Sequence, residues 1–494
     1  MCCEGLKNLE VINLGDNNNL DSATNILSCL DGLSSLKSLS LSGNLFDTTS
    51  SHSYNNLTNE ILPSLRGFRS LKELHLPSIG LDSDLHIQGL CTILKNVEIL
   101  DISYNNFNDT DIASALSEVS SLKNLNLQGS EITLRSIHNI SKLTSLEILD
   151  LAGNNLNSWP LENHGFAWPA SLQDLVLRAN SLSNNILSSL NGLTRLESLD
   201  LSVNNLKGLL DISGMSTLTS LKILDFSDNQ VVDFVVRKGL KSLRRLDILA
   251  LDSNMINGSN LQESFQAFPS VRNLTLRQNR FKGTTLARGF RGLNNLEYLA
   301  LDHSSNIENE FFKSIGDLPS LKVLSMLDCG INGTLPVGDW YKLKKLEELD
   351  LSYNEFVGQL PSSFVNMTSL RTLALTDNHF IGNIGPSLAS FTSLEYLNFE
   401  GNQFEFPISF TPFSNHSNLK FIYGNGNKVI LDSHSTMKTW IPKFQLQVLQ
   451  LSSITKANSI PLPNFLLYQY NLTYVDFTNC KLRGEFPNWS NVEQ

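Results

Sequence analysis

Ten side chains stand out for what they can do at a surface: Tyr298, Tyr396, Phe421, Tyr423 and Tyr474, the acids Asp302, Asp377 and Glu400, and the cations Arg178 and Arg277. Exposed aromatic rings and guanidinium groups are the usual anchors of protein interfaces. The chemistry they suggest is non-covalent recognition of a peptide or protein, and the acids favour a partner of basic character. They do not form a catalytic set. The chain has no G-x-S-x-G, no H-E-x-x-H, no Walker motif and no kinase signature. Gly424-Asn425-Gly426 does not complete a dinucleotide fingerprint, the nine histidines are scattered, and Glu347-Glu348 are strand neighbours that face opposite ways. Without a Cys-x-x-Cys pair there is no zinc signature. The reading is a binding protein with no enzymatic activity, no cofactor and no metal site. The plainer alternative is that the ten are ordinary exposed sheet residues.

The elements that must hold these side chains are written in a repeat, L-x-x-L-x-L-x-x-N. It is clear at Leu146-Leu149-Leu151-Asn154, Leu196-Leu199-Leu201-Asn204, Leu346-Leu349-Leu351-Asn354 and Leu370-Leu373-Leu375-Asn378. The Asn position can be followed through about nineteen copies spaced 24 to 27 residues apart, from Asn17 to Cys480. One interval, Asn44 to Ile79, is 35 residues long, and its surplus lies in the polar stretch Asp47–Asn59, which reads as a tolerated loop insertion. A fixed period of this length with this pattern marks a leucine-rich-repeat solenoid. The expected fold is α/β: a right-handed superhelix or horseshoe with one long parallel sheet on the concave face and short helices, 3₁₀ turns and loops on the convex face. Residues 1–494 read as a single domain, since each turn touches only its neighbours.

The spacing has a physical basis. Side chains alternate across a strand, so in Leu199-Asp200-Leu201 both leucines face one way. Each buried leucine contributes roughly 1.5–3 kcal/mol, but a lone turn cannot shield it, so turns must stack. The Asn follows the strand where the chain bends, and its amide can satisfy backbone donors and acceptors together. These asparagines, and the recurring strand acids Asp101, Asp150, Asp200, Asp225, Asp350 and Asp476, belong to the scaffold rather than to a site. Segments such as 186–193 and 361–364 read as short convex helices.

A formal net charge of −11 and a pI near 5.3 make a poor nucleic-acid binder, since phosphate contacts need clustered Lys and Arg, so no nucleic-acid partner is expected. Arg244-Arg245 and Lys344-Lys345 are isolated solvated pairs. The six cysteines form no disulfide framework; Cys329 and Cys480 occupy the Asn position and read as structural thiols. Ten N-x-[ST] sequons occur, at Asn56, Asn108, Asn139, Asn257, Asn273, Asn332, Asn366, Asn415, Asn471 and Asn488. The 54 Asn and 86 Ser and Thr of the chain would produce about nine by chance, so the number itself carries no signal. Eight of them are retained as glycosylation candidates. Asn273 is set aside because a glycan on a strand would obstruct the concave face, and Asn488 is not among the eight. No signal peptide precedes the first repeat and no apolar run approaches 18 residues, which reads as a fragment lacking caps and membrane helix.

After the Asn, some repeats continue as L-x-G-x-[IL]-P: Ile331-Asn332-Gly333-Thr334-Leu335-Pro336, Phe356-Val357-Gly358-Gln359-Leu360-Pro361 and Leu482-Arg483-Gly484-Glu485-Phe486-Pro487. With Trp440–Leu449, Tyr470–Phe477 and Phe486-Pro487-Asn488-Trp489, this resembles the ectodomain of plant leucine-rich-repeat receptor-like proteins. The resemblance implies an extracellular, glycosylated receptor at the plasma membrane, attached through a segment absent from this chain. It would bind a peptide or protein ligand in defence or development and signal through a partner receptor kinase as co-receptor. Other readings are an intracellular scaffold or a secreted inhibitor. The repeats from Asn204 to Asn279 lack the G-x-[IL]-P element, so the second sheet of this subclass should be broken there.

Overall fold

The structure is a computed structural model that describes residues 6, 8–17, 33–44, 65, 68–81, 84–91, 94–107, 111–157, 166–236, 243–259, 261–282, 286–431, 441–452 and 459–484. The expected insertion at 47–59, the sequons at Asn56, Asn108 and Asn488, and Cys2, Cys3 and Cys29 lie outside the described residues. The chain divides into two compact units, one of residues 1–231 with 235–246 and one of 232–234 with 247–494.

Both units are built from the same turn. Nineteen strands of three residues make the principal parallel ladder, one for each expected copy of the repeat. In the first unit they run from Val11–Asn13 to Ile223–Asp225. In the second they run from Ile248–Ala250 to Tyr474–Asp476. The register is constant: the central residue pairs with the central residue, usually leucine with leucine, as in Leu149 with Leu175 and Leu349 with Leu373, with Ile12, Ile422 and Val475 in the same place. These leucines are fully buried while both strand neighbours stay accessible in most turns; Ala300 is a buried neighbour, and at the last strand the central Val475 is itself exposed. A one-residue slip would turn every leucine to solvent, which is why burial specifies the register so strongly.

The asparagines close the turns. Asn154 donates through Nδ2 to the carbonyls of Leu127 at 2.8 Å and Leu151 at 2.9 Å, and its Oδ1 accepts from the amides of Ser130 at 3.0 Å and Ile132 at 2.8 Å. Asn105, Asn204, Asn354, Asn378, Asn402 and Asn427 repeat the pattern of donation to two carbonyls, one on their own turn and one on the turn before. Cys329 and Cys480 keep the donation alone, through Sγ to Leu301 at 3.1 Å and Leu451 at 2.8 Å. Both are buried, and burial pushes the Cys329 thiol up to about 12. The strand acids also serve the backbone: Asp150 and Asp200 each accept from the amide two residues on, at 2.8 Å.

Opposite the ladder the elements are short. Ile186–Ser189 is a single α turn, Ser362–Asn366 is a 3₁₀ turn, and the longest helix described is Asp84–Cys91 with eight residues. No helix among the described residues is long and apolar enough to cross a membrane. In the second unit aromatic rings fill this side. Phe312 stacks on Trp340 at 5.4 Å, Trp340 meets Phe364 edge-on at 4.8 Å, and Phe356, Phe380 and Phe404 stack in succession at 5.7 and 5.5 Å.

A second parallel sheet of five strands runs through Asn332–Thr334, Glu355–Gly358, His379–Asn383, Gln403–Pro407 and Lys428–Ile430. Its consensus glycines have a backbone reason: Gly333, Gly358 and Gly382 sit at φ of 85°, 81° and 87°, a region that side chains disfavour. The expected break from Asn204 to Asn279 holds beyond Val235, where no strand of this sheet occurs among the described residues before Asn332, but not ahead of it. Lys207–Asp211 pairs there with the strand opening at Gln230. Leu206-Lys207-Gly208-Leu209-Leu210-Asp211 carries the element with Asp in place of Pro, and Gly208 is again left-handed at φ 68°.

Candidate functional site

The ladder puts the two residues flanking each central leucine on its exposed face, in columns set by the register. One column in the second unit reads Glu348, Thr372, Tyr396, Phe421, Val448, Tyr474. Its companion reads Asp350, Ala374, Asn398, Tyr423, Gln450, Asp476. Three of the expected binding residues converge here. The Tyr396 ring lies 6.2 Å from Phe421 and 5.5 Å from Tyr423, centroid to centroid. Asn398 donates to the Tyr396 hydroxyl at 3.4 Å. Burial, with Tyr396 beside it, raises the Tyr423 hydroxyl above its ordinary range. The small residues Thr372 and Ala374 leave a dip beside the rings. The resulting pocket of about 430 Å³ is lined by Glu348, Arg371, Thr372, Glu395, Tyr396 and Phe421.

A second feature borders the face. The residue just before each strand is charged in most turns, and its partner is the same residue one turn away. Lys72 and Lys123 both reach Glu98, at 2.7 and 2.8 Å, and hold its carboxyl down at about 2. Lys222 bonds Glu197 at 2.7 Å, Arg272 bonds Asp247 at 2.6 Å, and Lys322 bonds Glu297 at 2.7 Å. At the pocket, Glu395 takes Arg371 at 3.1 Å and Lys420 at 3.3 Å. This row was not anticipated from the sequence. Its signal was present as charges one position ahead of each strand, one repeat apart.

A family model described as leucine rich repeat matches residues 344–404, the stretch that carries Asn354, Asn378, Asn402 and most of the pocket. Sequence relatives extend the likeness. Over 185 residues the chain is 35% identical to Cuscuta receptor 1 of Solanum lycopersicum, covering 37% of this chain and 16% of that protein. Over 148 residues it is 47% identical to Receptor-like protein 14 of Arabidopsis thaliana, covering 30% and 15%. The chain carries leucine-rich repeats, and over these stretches it is similar to plant receptor-like proteins. The matches span 16% and 15% of those relatives' length. Among solved structures, the plant peptide hormone receptor RGFR1 in complex with RGF2 shares the fold at a TM-score of 0.50 and 20% identity, over 91% of this chain and 68% of that one.

On this frame the other expected residues fall into distinct settings. Arg277, Tyr298 and Asp302 meet each other. The guanidinium donates to Asp302 at 3.0 Å and to the Tyr298 hydroxyl at 2.7 Å, and stands 3.5 Å from Asp252. Burial works against its charge, yet these partners raise its basicity. Asp302 is 9% exposed and also accepts from the Leu327 amide at 3.0 Å and the Ser325 hydroxyl at 2.5 Å. This trio is tied into the frame. Asp377 is exposed on the bend before Asn378, and Glu400 is half-buried on the bend after Phe399. Tyr474 lies two strands beyond Phe421 and is 49% exposed. Arg178 lies in the first unit, where it donates to the Ser202 hydroxyl at 3.1 Å. Among the sequons, Asn332, Asn366, Asn415 and Asn471 are exposed, while Asn139 and Asn257 are half-buried. The Asn139 amide nitrogen donates to Ser114 at 2.8 Å and Asp111 at 3.3 Å. No group of His, Cys, Asp and Glu among the described residues could hold a metal ion.

Proposed function

We propose that the chain is the ligand-sensing ectodomain of a plant cell-surface receptor-like protein, recognising a peptide or protein through the exposed ladder face of its second unit. Signalling then runs through a partner receptor kinase, and the role of this chain is binding rather than catalysis. The observation that carries the reading is the cluster of Tyr396, Phe421 and Tyr423, half-exposed on strands whose central Leu397 and Ile422 are fully buried. Large rings held on a rigid frame supply contact area at low conformational cost. The kinship with receptor-like proteins of tomato and Arabidopsis supports the cell-surface setting. The solved likeness to a peptide hormone receptor caught with its hormone makes a peptide a natural first ligand class.

The test expresses the full coding sequence that contains this chain in plant cells, as wild type and as the triple Tyr396→Ala, Phe421→Ala, Tyr423→Ala variant. Peptides and receptor kinases that co-purify are then quantified. A set of peptides held by the wild type and lost from the variant is expected, with recovery from the plasma-membrane fraction. Identical sets in both would remove the proposed face, and recovery in the cytosol would favour an internal scaffold.

A further inference from the structure

We infer that the pocket beside Tyr396 receives a cationic side chain, arginine or lysine, from the bound peptide; the inference rests on the binding role proposed for this face. One wall is the carboxylate of Glu348 and the other is the ring pair Tyr396 and Phe421, with Thr372 between them as a low floor. Glu348 and Tyr396 stand two strands apart, about 10 Å along the ladder, and the open depression between them is about 430 Å³. A planar cation placed there meets a carboxylate on one side and an aromatic face on the other, the two environments that favour it most.

The charges around the pocket select the sign. Both cations at its border are already neutralised. Arg371 lies 3.1 Å from Glu395 and 3.9 Å from Glu347, and Lys420 lies 3.3 Å from Glu395. Glu348 is exposed and has no ion-pair partner among the described residues. Asp350 stands on the same strand, its Oδ1 occupied only by the Ser352 amide at 2.9 Å. The carboxylates therefore outnumber the cations, and the free one lines the cavity. An acidic side chain would have to compete with two carboxylates for Arg371 and would face Glu348 uncompensated, so the pocket disfavours it.

The experiment incubates the full chain on an array of random-sequence 12-residue peptides, each made with arginine and again with citrulline, which keeps the shape and removes the charge. Arginine members should be retained over their citrulline twins. Glu348→Gln should lower that preference about three- to tenfold, and Tyr396→Leu, which keeps the bulk and removes the ring, about two- to fivefold. Circular dichroism confirms that these surface variants fold. Equal retention of the twins, a preference for acidic peptides, or an arginine preference untouched by Glu348→Gln overturns the inference. If the triple alanine variant loses all peptides while the twins bind the wild type equally, the cationic pocket falls and the binding face stands. If that variant retains everything, both fall.

Discussion

Replacing Asn154 probes how one turn is fastened to the next. The side chain is 7% exposed and completes four short hydrogen bonds, two to carbonyls of Leu127 and Leu151 and two from amides of Ser130 and Ile132. Three of these partners belong to the preceding turn. Alanine leaves both amides without a partner in a site closed to water, at about 1–3 kcal/mol each. The carbonyls, with a second lone pair, add less. We expect Asn154→Ala to cost about 3–5 kcal/mol, with the damage confined to adjoining turns because each turn touches only its neighbours.

The chain contains its own control for this argument. Ser130 and Ser304 occupy the same position in other turns. The Ser130 hydroxyl donates to the Ile102 carbonyl at 3.2 Å and meets the Asn105 amide only at 3.4 Å. Serine thus keeps the donation and most of the shape, and Asn154→Ser should cost about 1–2 kcal/mol. Asn154→Asp keeps the acceptor but sets a carboxylate against the Leu127, Leu151 and Ala152 carbonyls, so it should do no better than alanine. The assay is hydrogen exchange followed by mass spectrometry on peptides covering 127–134, beside the urea midpoint. Loss of protection at Ser130 and Ile132, ordered Asn, Ser, Ala, is the expected result. A penalty for alanine below about 1 kcal/mol, or equal penalties for serine and alanine, would refute the stapling argument.

Three further outcomes follow from the same packing. Gly424 stands where most turns place their third leucine, and a Cβ there would strike the Phe399 ring and the Leu451 side chain. Gly424→Ala should therefore lower stability by about 1–3 kcal/mol, read as a shift in the urea midpoint. His416 is fully buried and neither ring nitrogen has a hydrogen-bond partner. Burial lowers its pKa below the usual 6.5, only partly offset by nearby carbonyls of Phe391, Phe413 and Leu388. The unfolded chain then takes up the proton first, so stability should fall as pH drops below about 6.5, by up to about 1.4 kcal/mol per pH unit. That slope continues down to the lowered native value, and His416→Gln should lose it over this window. Peptide mapping of the protein made in plant cells should find glycans at Asn332, Asn366, Asn415 and Asn471. Asn139 should be unmodified, since its amide nitrogen is engaged, and a glycan there would contradict the hydrogen-bonded geometry.

Much of the fold was legible because it depends on residues that repeat locally. Leu149 and Leu151, Asn154 and the strand acid Asp150 each do in space what their spacing implies. What was not legible arises between turns. The residue before each Asn takes a left-handed backbone even where its type resists it, at φ 55° for Val203 and Tyr104 and 57° for Tyr353. Local preference would place Gly, Asn or Asp there; the neighbouring turns impose the bend instead. The strand at Lys207–Asp211 was missed because Asp211 replaces the consensus proline. At the candidate site, the aromatic cluster was visible as a tendency of rings to gather in the C-terminal half. The mutual bonding of Arg277, Tyr298 and Asp302 was not, because those partners are separated by 21 and 25 residues and meet only through the register.

The charged row along the ladder shows why that distinction matters for function. Its ion pairs are exposed, and exposed pairs contribute about 0–1 kcal/mol each, so the buried leucines and asparagines account for stability without them. The row acts through what it leaves over. By binding Arg371 and Lys420, Glu395 silences the cations at the pocket and lets the uncommitted carboxylate of Glu348 set its sign. Reversing that arrangement is a direct check on the logic. Glu395→Gln frees Lys420 and leaves Arg371 with Glu347 at 3.9 Å, without touching the rings or Glu348, so the arginine preference of the pocket should weaken while its affinity for acidic peptides rises. Both changes should fade with added salt, since they act through water-exposed charge. An unchanged preference would mean that the bordering row and the pocket are independent, and that the selectivity resides in the walls alone.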